Sequence, residues 1–137
     1  MDISREQLSN MLVKVFAFHR LKSEYLAMLL ADAELLFFPT QKMVFMEGSQ
    51  AEFLYIVYQG QIEILKERAG ALIYKNKINP TFSFGEDIFA EPYQRRTSAR
   101  AAQDTILIKI SRGVVQEIAA VDGGFQRAML RQFTSYT

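Results

Sequence analysis

Apolar positions recur at helical spacing at both ends of the chain. Ser4 and Gln7 form a capping-box pattern ahead of the first such segment, whose apolar residues are Leu8, Met11, Leu12, Val15 and Phe16. Ser23 is the expected N-cap of a second helix, which carries Leu26, Leu29 and Leu30. Ser111 is the expected N-cap of a third, which carries Val114, Val115 and Ile118 and ends at the turn 122–124; a fourth carries Phe125, Met129, Leu130 and Phe133. The pattern therefore predicts two helices at each end.

Between these ends the apolar runs are short and are separated by glycine, proline and polar turns. They cover 35–38, 42–46, 53–58, 62–65, 72–78 and 106–110. In one of them Ile62 and Ile64 alternate with Gln61, Glu63 and Leu65, which is the period of two expected for a strand. With the segment 82–102 these runs predict about eight strands in a sandwich or barrel. We expect one mainly β domain, with helices in 1–34, a β-roll in 35–112 and helices in 113–137.

Composition narrows the range of functions. The chain has 137 residues, of which 50% are hydrophobic and 23% are charged, so it can bury a core. Its net charge of +1 favours neither nucleic acid nor an acidic membrane as a partner. The absence of cysteine and the single histidine exclude disulfides, thiolate zinc sites and multi-histidine metal sites. Without a signal peptide or an apolar run of membrane-spanning length, we expect a cytoplasmic protein with no membrane contact.

The segment 82–102 holds the residues best suited to bind a ligand. Phe84-Gly85-Glu86 places a carboxylate at a glycine turn, and Arg95 and Arg96 open a later run of small residues. A glycine turn exposes backbone N–H groups, an arginine offers a planar fork of donors, and a carboxylate accepts from a hydroxyl. The implied ligand is an anion that also carries a hydroxyl group, such as a sugar phosphate. The alternative is a surface turn with solvated arginines, which a short motif alone does not exclude.

In their order, these motifs resemble the cyclic nucleotide-binding domain family, which includes catabolite activator protein and the regulatory subunits of cAMP-dependent protein kinase. The resemblance covers nearly the whole chain and rests on Phe45-Met46-Glu47-Gly48, Leu54-Tyr55-Ile56-Val57, Gly60-Gln61-Ile62-Glu63-Ile64, and Phe84-Gly85-Glu86 followed by Arg95. It implies an eight-stranded jelly roll, or double-stranded β-helix, with helices at both ends. It also implies a phosphate-binding cassette over residues 82–100.

The resemblance assigns a role to each cassette residue. Glu86 accepts from the ribose 2′-hydroxyl, Gly85 permits the turn, and an arginine pairs with the cyclic phosphate beside the backbone N–H groups of a short helix. The site implied in this way consists of Phe84, Gly85, Glu86, Asp87, Ile88, Arg95, Arg96 and Thr97. Two of these residues depart from the family pattern, since Asp87 stands where leucine is common and Ile88 stands where alanine or glycine is usual.

The choice between the two arginines depends on strand alternation. If Arg95 binds the phosphate, then Thr97, Ala99 and Ala101 share its inward face. If Arg96 binds it, Arg100 falls on that face, where a charge is costly to bury. We therefore expect Arg95, with Arg96 as the alternative. A threonine directly after the ligand arginine favours guanine, and Thr97 offers this only in the second case, so cAMP and cGMP both stay open.

Several functions are compatible with this pattern. The resemblance implies a regulatory domain that binds cAMP or cGMP, requires no further cofactor and relays binding through its C-terminal helices. Asp87 and Ile88 favour an alternative, a ligand-free domain of the same fold that acts as an oligomerisation or interaction module, with a homodimer through the apolar stripes of the terminal helices. Another is the sensor part of a transcription regulator; no helix-turn-helix follows here, so we expect no nucleic-acid contact from this chain. The sequence contains no recognisable catalytic arrangement such as a Ser/His/Asp triad, so we do not expect an enzyme.

Overall fold

The computed structural model describes residues 2–135, with side chains as far as Arg131. Its helices are α1 (Arg5–Leu12), α2 (Ser23–Asp32), α3 (Arg112–Val121) and α4 (Gly123–Ser135), and short 3-10 helices cover Phe16–Phe18 and Glu86–Phe89. Its strands are β1 (Glu34–Phe38), β2 (Met43–Phe45), β3 (Phe53–Gln59), β4 (Ile62–Arg68), β5 (Ala71–Ile78), β6 (Ser83–Phe84), β7 (Ser98–Ala101) and β8 (Thr105–Ser111). They form two antiparallel sheets of order β1-β8-β3-β6 and β2-β7-β4-β5, which confirms the predicted jelly roll.

Two hydrophobic cores lie on opposite faces of the first sheet. The helical core lies between that sheet and the helices and includes Leu12, Leu29, Ile88, Val115 and Met129. The roll core lies between the two sheets and includes Val57, Ile62, Ile64, Phe84 and Leu107. Both faces of the first sheet are therefore covered.

Successive side chains of β3 enter different cores. Leu54 and Ile56 belong to the helical core, whereas Tyr55 and Val57 belong to the roll core. Side chains on a strand alternate between its two faces, and here both faces are buried. This is why the sequence of β3 is a continuous apolar run rather than an alternation of polar and apolar residues.

The first helix is shorter than its apolar spacing predicts. The capping box is confirmed, since Ser4 Oγ accepts from Gln7 N at 3.1 Å and Gln7 Oε1 accepts from Ser4 N at 2.8 Å. The prediction that the helix continues through Val15 and Phe16 was wrong, because α1 ends at Leu12. Val13 and Val15 are β-branched and favour helix weakly. The chain turns there, which buries Val15 and leaves Phe16 exposed.

Of the two serines predicted to cap α2 and α3, only Ser111 occupies the N-cap position. Ser23 already lies inside α2, and Lys22 occupies the N-cap position without a side-chain hydrogen bond. Ser111 does occupy the N-cap of α3, but its side chain makes no capping bond. Instead Asp32, at the end of α2, accepts from Ser111 N at 2.7 Å and from Ser111 Oγ at 3.0 Å. A carboxylate of the N-terminal helices thus satisfies the start of α3.

The apolar stripes of the terminal helices are buried within the chain itself. Leu8, Leu12, Phe125 and Met129 are at most 5% exposed and belong to the helical core. The side chain of Phe133 lies outside the described residues. Because these four side chains offer no free surface, we do not propose the homodimer through the terminal helices.

One strand departs from strict alternation. The sequence pattern predicts Leu65 on the outer face with Gln61 and Glu63, but Leu65 is 2% exposed, next to the equally buried Ile64. The register of β4 against β5 shifts between these two residues. A bulge of this kind interrupts alternation, and it leaves no local signature in the sequence. Within residues 2–135, no helix is long and apolar enough to cross a bilayer.

Candidate functional site in the cassette

The turn that opens the cassette requires glycine. β6 pairs with β3 through Phe84 opposite Tyr55, and Gly85 follows with a φ of +91°. A Cβ on Gly85 would lie 2.7 Å from Arg95 Nη1 and 3.4 Å from the carbonyl oxygen of Phe53. Only glycine adopts this φ without strain and leaves room for the guanidinium. The 3-10 helix Glu86–Phe89, here called the cassette helix, begins immediately after it.

The segment after the cassette helix brings Arg95 back to this turn. Arg95 N donates to the carbonyl of Ser49 at 2.8 Å, and Gly48 N donates to the carbonyl of Arg95 at 2.8 Å. Arg95 is 3% exposed, whereas Arg96 is exposed and its carbonyl accepts from Lys66 Nζ at 2.7 Å. Arg95 and not Arg96 thus turns inward, as expected, although both lie before the start of β7 at Ser98. Its role towards a ligand stays a prediction.

Two backbone carbonyls and an aromatic ring hold the guanidinium. Arg95 Nη1 donates to the carbonyl of Gly85 at 2.8 Å, and Nη2 donates to the carbonyl of Phe53 at 2.6 Å. Cζ lies 4.0 Å from the centre of the Phe45 ring and 5.9 Å from that of Tyr55. Cation–π contact of this kind is strongest where water is excluded. Sequence reasoning did not assign Phe45, Phe53 or Tyr55 to the site, because their approach depends on how the two sheets pack.

Aromatic rings occupy the roll interior beside Arg95. The ring centres of Phe45, Tyr55 and Phe84 are 5.4 to 6.0 Å apart, and all three belong to or pack against the roll core. Phe84, which was predicted as a site residue, belongs to the roll core. Its ring stacks on that of Tyr55, which in turn lies beside the guanidinium of Arg95. The three rings thus fill the space between the sheets beside Arg95.

The two carboxylates that follow Gly85 are both buried. Glu86 is 1% exposed and Asp87 is 4% exposed, and Asp87 Oδ2 lies 3.8 Å from Arg95 Nη1. Burial raises the pKa of Asp87 although Arg95 opposes this, and burial lowers the pKa of Arg95 although Asp87 opposes it. Among the described residues, neither Asp87 Oδ1 nor Arg95 Nε has a hydrogen-bond partner. The pair is thus desolvated with hydrogen-bonding capacity unused.

The cassette helix is also connected to the C-terminal helices. Ile88 is fully buried in the helical core, which also contains Val115 and Phe125. Gln116 Nε2, on α3, donates to the carbonyl of Ile88 at 2.9 Å. Ile88 therefore connects the cassette to the helical core through its side chain and to α3 through its backbone carbonyl. Gln116 carries no signal in the sequence, because a glutamine on a helix is usually solvated.

A cavity of about 270 Å³ lies beside the cassette helix. Its lining includes Glu86, Asp87, Glu91, Arg96 and Leu130, so it combines three carboxylates, one guanidinium and an apolar side chain of α4. Pockets for small molecules usually measure about 300–1,000 Å³, so the volume of this one lies just below that range. Of the other predicted site residues, Thr97 is half-buried at the end of the segment.

Comparison with known proteins identifies relatives of this fold. A family model described as the cyclic nucleotide-binding domain matches residues 35–122. The sensor domain of the transcriptional regulator DNR from Pseudomonas aeruginosa is similar with a TM-score of 0.83 and 20% identity over 96% of this chain and 89% of that chain. Comparison with curated proteins by sequence finds no match.

Two regulatory proteins of protein kinase A are also similar. The regulatory domain from Toxoplasma gondii, crystallised with cAMP, has a TM-score of 0.77 and 23% identity over 83% of this chain and 44% of that chain. The regulatory subunit of a cAMP-independent protein kinase A from Trypanosoma brucei has a TM-score of 0.83 and 17% identity over 97% of this chain and 47% of that chain. The chain thus spans about half the length of either one. At these identities the likeness is one of fold.

Proposed function

Because the chain belongs to the cyclic nucleotide-binding domain family, we propose that it is a regulatory domain that binds cAMP or cGMP at its cassette and relays binding through α3 and α4. The role is regulatory rather than catalytic, in keeping with a family of sensor and regulatory domains.

The buried Arg95 is the observation that carries the binding proposal. Arg95 lies at the turn of the cassette with only 3% of its surface exposed, and its Nε has no partner among the described residues. Burying a guanidinium is costly unless it has a function or complete pairing. A phosphate supplies two oxygens that can accept from the planar fork of a guanidinium.

The neighbouring carboxylate of Glu86 suits the sugar part of such a ligand. Glu86 lies at the start of the cassette helix and lines the cavity together with Asp87. An ionised carboxylate only accepts hydrogen bonds, so it recognises hydroxyl groups and not phosphate oxygens. The resemblance gives Glu86 the ribose 2′-hydroxyl, and its position next to the Gly85 turn is compatible with that role.

The relay follows from the two contacts of Ile88. A ligand that moves the cassette helix must disturb the Ile88 side chain in the helical core, the Gln116 hydrogen bond, or both. Packed cores are bistable rather than continuously deformable, so a small displacement is expected to shift α3 and α4 as units. The ligand would thus bias a two-state arrangement of the C-terminal helices.

The proposal is tested by titrating the purified protein with cAMP and cGMP in a calorimeter. We expect saturable binding of at least one of them, with a rise in thermal stability, because a ligand that binds only the folded state stabilises it. The non-cyclic monophosphates serve as controls. No heat and no thermal shift at millimolar concentrations of both cyclic nucleotides would remove this function.

Gln116→Ala is expected to separate binding from relay. Gln116 contacts the cassette backbone and not the cavity, so cyclic nucleotide affinity should stay close to that of the wild type. The ligand-induced change in amide hydrogen exchange of α3 should become smaller, because the side-chain link to Ile88 is lost. A variant whose exchange in α3 still responds as the wild type does would show that Gln116 is not part of the relay.

A second function, an interaction module without ligand, is favoured by one strand. β5 is an edge strand of its sheet, and Leu72, Ile73 and Tyr74 on it are 42%, 46% and 51% exposed. Exposed apolar edge strands invite pairing with another chain. If the titrations above give no response, this edge is the surface on which an interaction function rests.

A further inference from the structure

We infer that Asp87 is an internal anion of the cassette, which neutralises Arg95 in the absence of ligand and which a phosphate-bearing ligand must displace. The inference rests on the proposed function, since it concerns how that same site is regulated. Asp87 would then set the affinity of the domain, although it contributes nothing attractive to the ligand.

The burial of the two side chains makes their pairing necessary. The side chains of Arg95 and Asp87 are 2% and 3% exposed. A buried guanidinium without an anion nearby is strongly disfavoured, and the described residues place Asp87 as its ion-pair partner within 4.0 Å. Asp87 therefore supplies the negative charge beside Arg95 that the phosphate is expected to supply in the bound state.

The geometry shows that this pairing is exchangeable. Asp87 Oδ2 lies 3.8 Å from Arg95 Nη1, whereas a charge-assisted hydrogen bond measures about 2.7–2.9 Å. The guanidinium's two short hydrogen bonds go to the carbonyls of Gly85 and Phe53. A competing anion can thus replace Asp87 without breaking the bonds that orient Arg95.

The charges around Arg95 require the displacement. Asp87 and Glu86 are both buried beside the cassette turn, and Glu91 lines the same cavity. A phosphate placed against Arg95 with Asp87 still ionised would bring like charges together in a site from which water is excluded. Asp87 also lines the cavity of about 270 Å³, so its carboxylate has space into which it can turn.

Asp87→Asn is the test, because asparagine keeps the size of the side chain and removes its charge. Measured in a calorimeter near neutral pH, it should bind cAMP or cGMP at least about tenfold more tightly than the wild type, since like-charge repulsion is removed. Inorganic phosphate, titrated separately, should gain affinity in the same direction. The matched control is Glu52→Gln, which removes an exposed carboxylate next to Phe53 and should leave the affinity unchanged.

The outcomes separate this inference from the proposed function. If the wild type and Asp87→Asn bind cyclic nucleotide equally, or if Glu52→Gln gains as much, Asp87 is no competitor while the function stands. If Asp87→Asn gains affinity for phosphate but no variant binds a cyclic nucleotide, the competitor stands and the proposed ligand falls. If no variant binds any of the three anions, both are overturned.

A measurement on the wild type covers the case in which the variant does not fold. Burial raises the pKa of Asp87, so lowering the pH protonates it and should raise the affinity for cyclic nucleotide. The charged groups that face Asp87 are Glu86 on its own helix, Glu91 across the cavity, and Arg95 and Arg96 on the following segment; α4 contributes the apolar Leu130. Affinity that stays flat or falls with decreasing pH would contradict the competitor.

Discussion

Arg95→Ala is expected to weaken cyclic nucleotide binding by about 10- to 100-fold, since a charge-assisted hydrogen bond to a buried group contributes about 1.5–3 kcal/mol. Among the described residues, Arg95 is the only arginine that is buried at the cassette, and the substitution removes its guanidinium. It also leaves the carbonyls of Gly85 and Phe53 and the carboxylate of Asp87 without their partner. Calorimetric titration measures the loss of affinity, and circular dichroism establishes that the variant is folded.

Arg96→Ala is the comparison that makes this result specific. Arg96 is adjacent in sequence, carries the same charge and is exposed at the rim of the cavity. Its removal should weaken cyclic nucleotide binding by less than about threefold, because exposed charges interact weakly through water. If Arg96→Ala caused the larger loss of affinity, Arg96 would be the residue that binds the phosphate. The buried Arg95 would then have only a structural role.

Gly60→Ala is expected to destabilise the fold by about 3 kcal/mol or more, from backbone strain together with overpacking. Gly60 has a φ of +101°, and a Cβ there would lie 2.6 Å from the carbonyl oxygen of Asp104 and 2.7 Å from the Cα of Thr105. Both atoms belong to the backbone and cannot rotate away. Thr105 is itself fully buried, and its single hydroxyl proton lies within reach of the carbonyls of Gln61 and Gln103, whose oxygens are 3.1 and 2.7 Å from Oγ1. Chemical denaturation measures the change in the free energy of unfolding.

Gly70→Ala separates strain from overpacking. Gly70 has a φ of +82° but nothing within 4 Å of its Cβ position, so only the backbone term of about 1 kcal/mol should remain. Equal losses in the two variants would show that the close approach at Gly60 relaxes without cost.

The sequence predicts the strands better than it predicts the helix ends. All six apolar runs recognised between the turns become strands. In five of them neither end differs from the prediction by more than one residue, as at residues 53–58 for β3 (Phe53–Gln59), whereas β4 continues three residues beyond the predicted 62–65. The predicted helix ends were wrong where tertiary packing, rather than the spacing of apolar residues, determines where the helix begins or ends. Val15 is buried although the helix has already ended, and α2 already begins at Ser23, the residue predicted to cap it. Neither outcome is determined by local sequence.

In the site, the residues that are close in sequence could be predicted, and those that other elements contribute could not. Arg95 is buried and Arg96 is exposed, as the sequence argument expects, although both residues precede β7 (Ser98–Ala101). Phe45 and Tyr55 meet the guanidinium only because two different sheets converge on it. Gln116 reaches the cassette from α3. Which ligand the cassette takes, and whether Glu86 accepts from it, stay predictions.

The bond between Asp32 and Ser111 has a practical consequence for anyone who shortens the chain. The family match begins at residue 35, which invites expression of the roll without the first two helices. Such a truncation would strip the carboxylate from Ser111 N and take Leu12 and Leu29 away from Ile88 and Met129. α3 and α4 would then pack against an incomplete core, and changes measured in the shortened protein would reflect the loss of this core rather than a response to ligand.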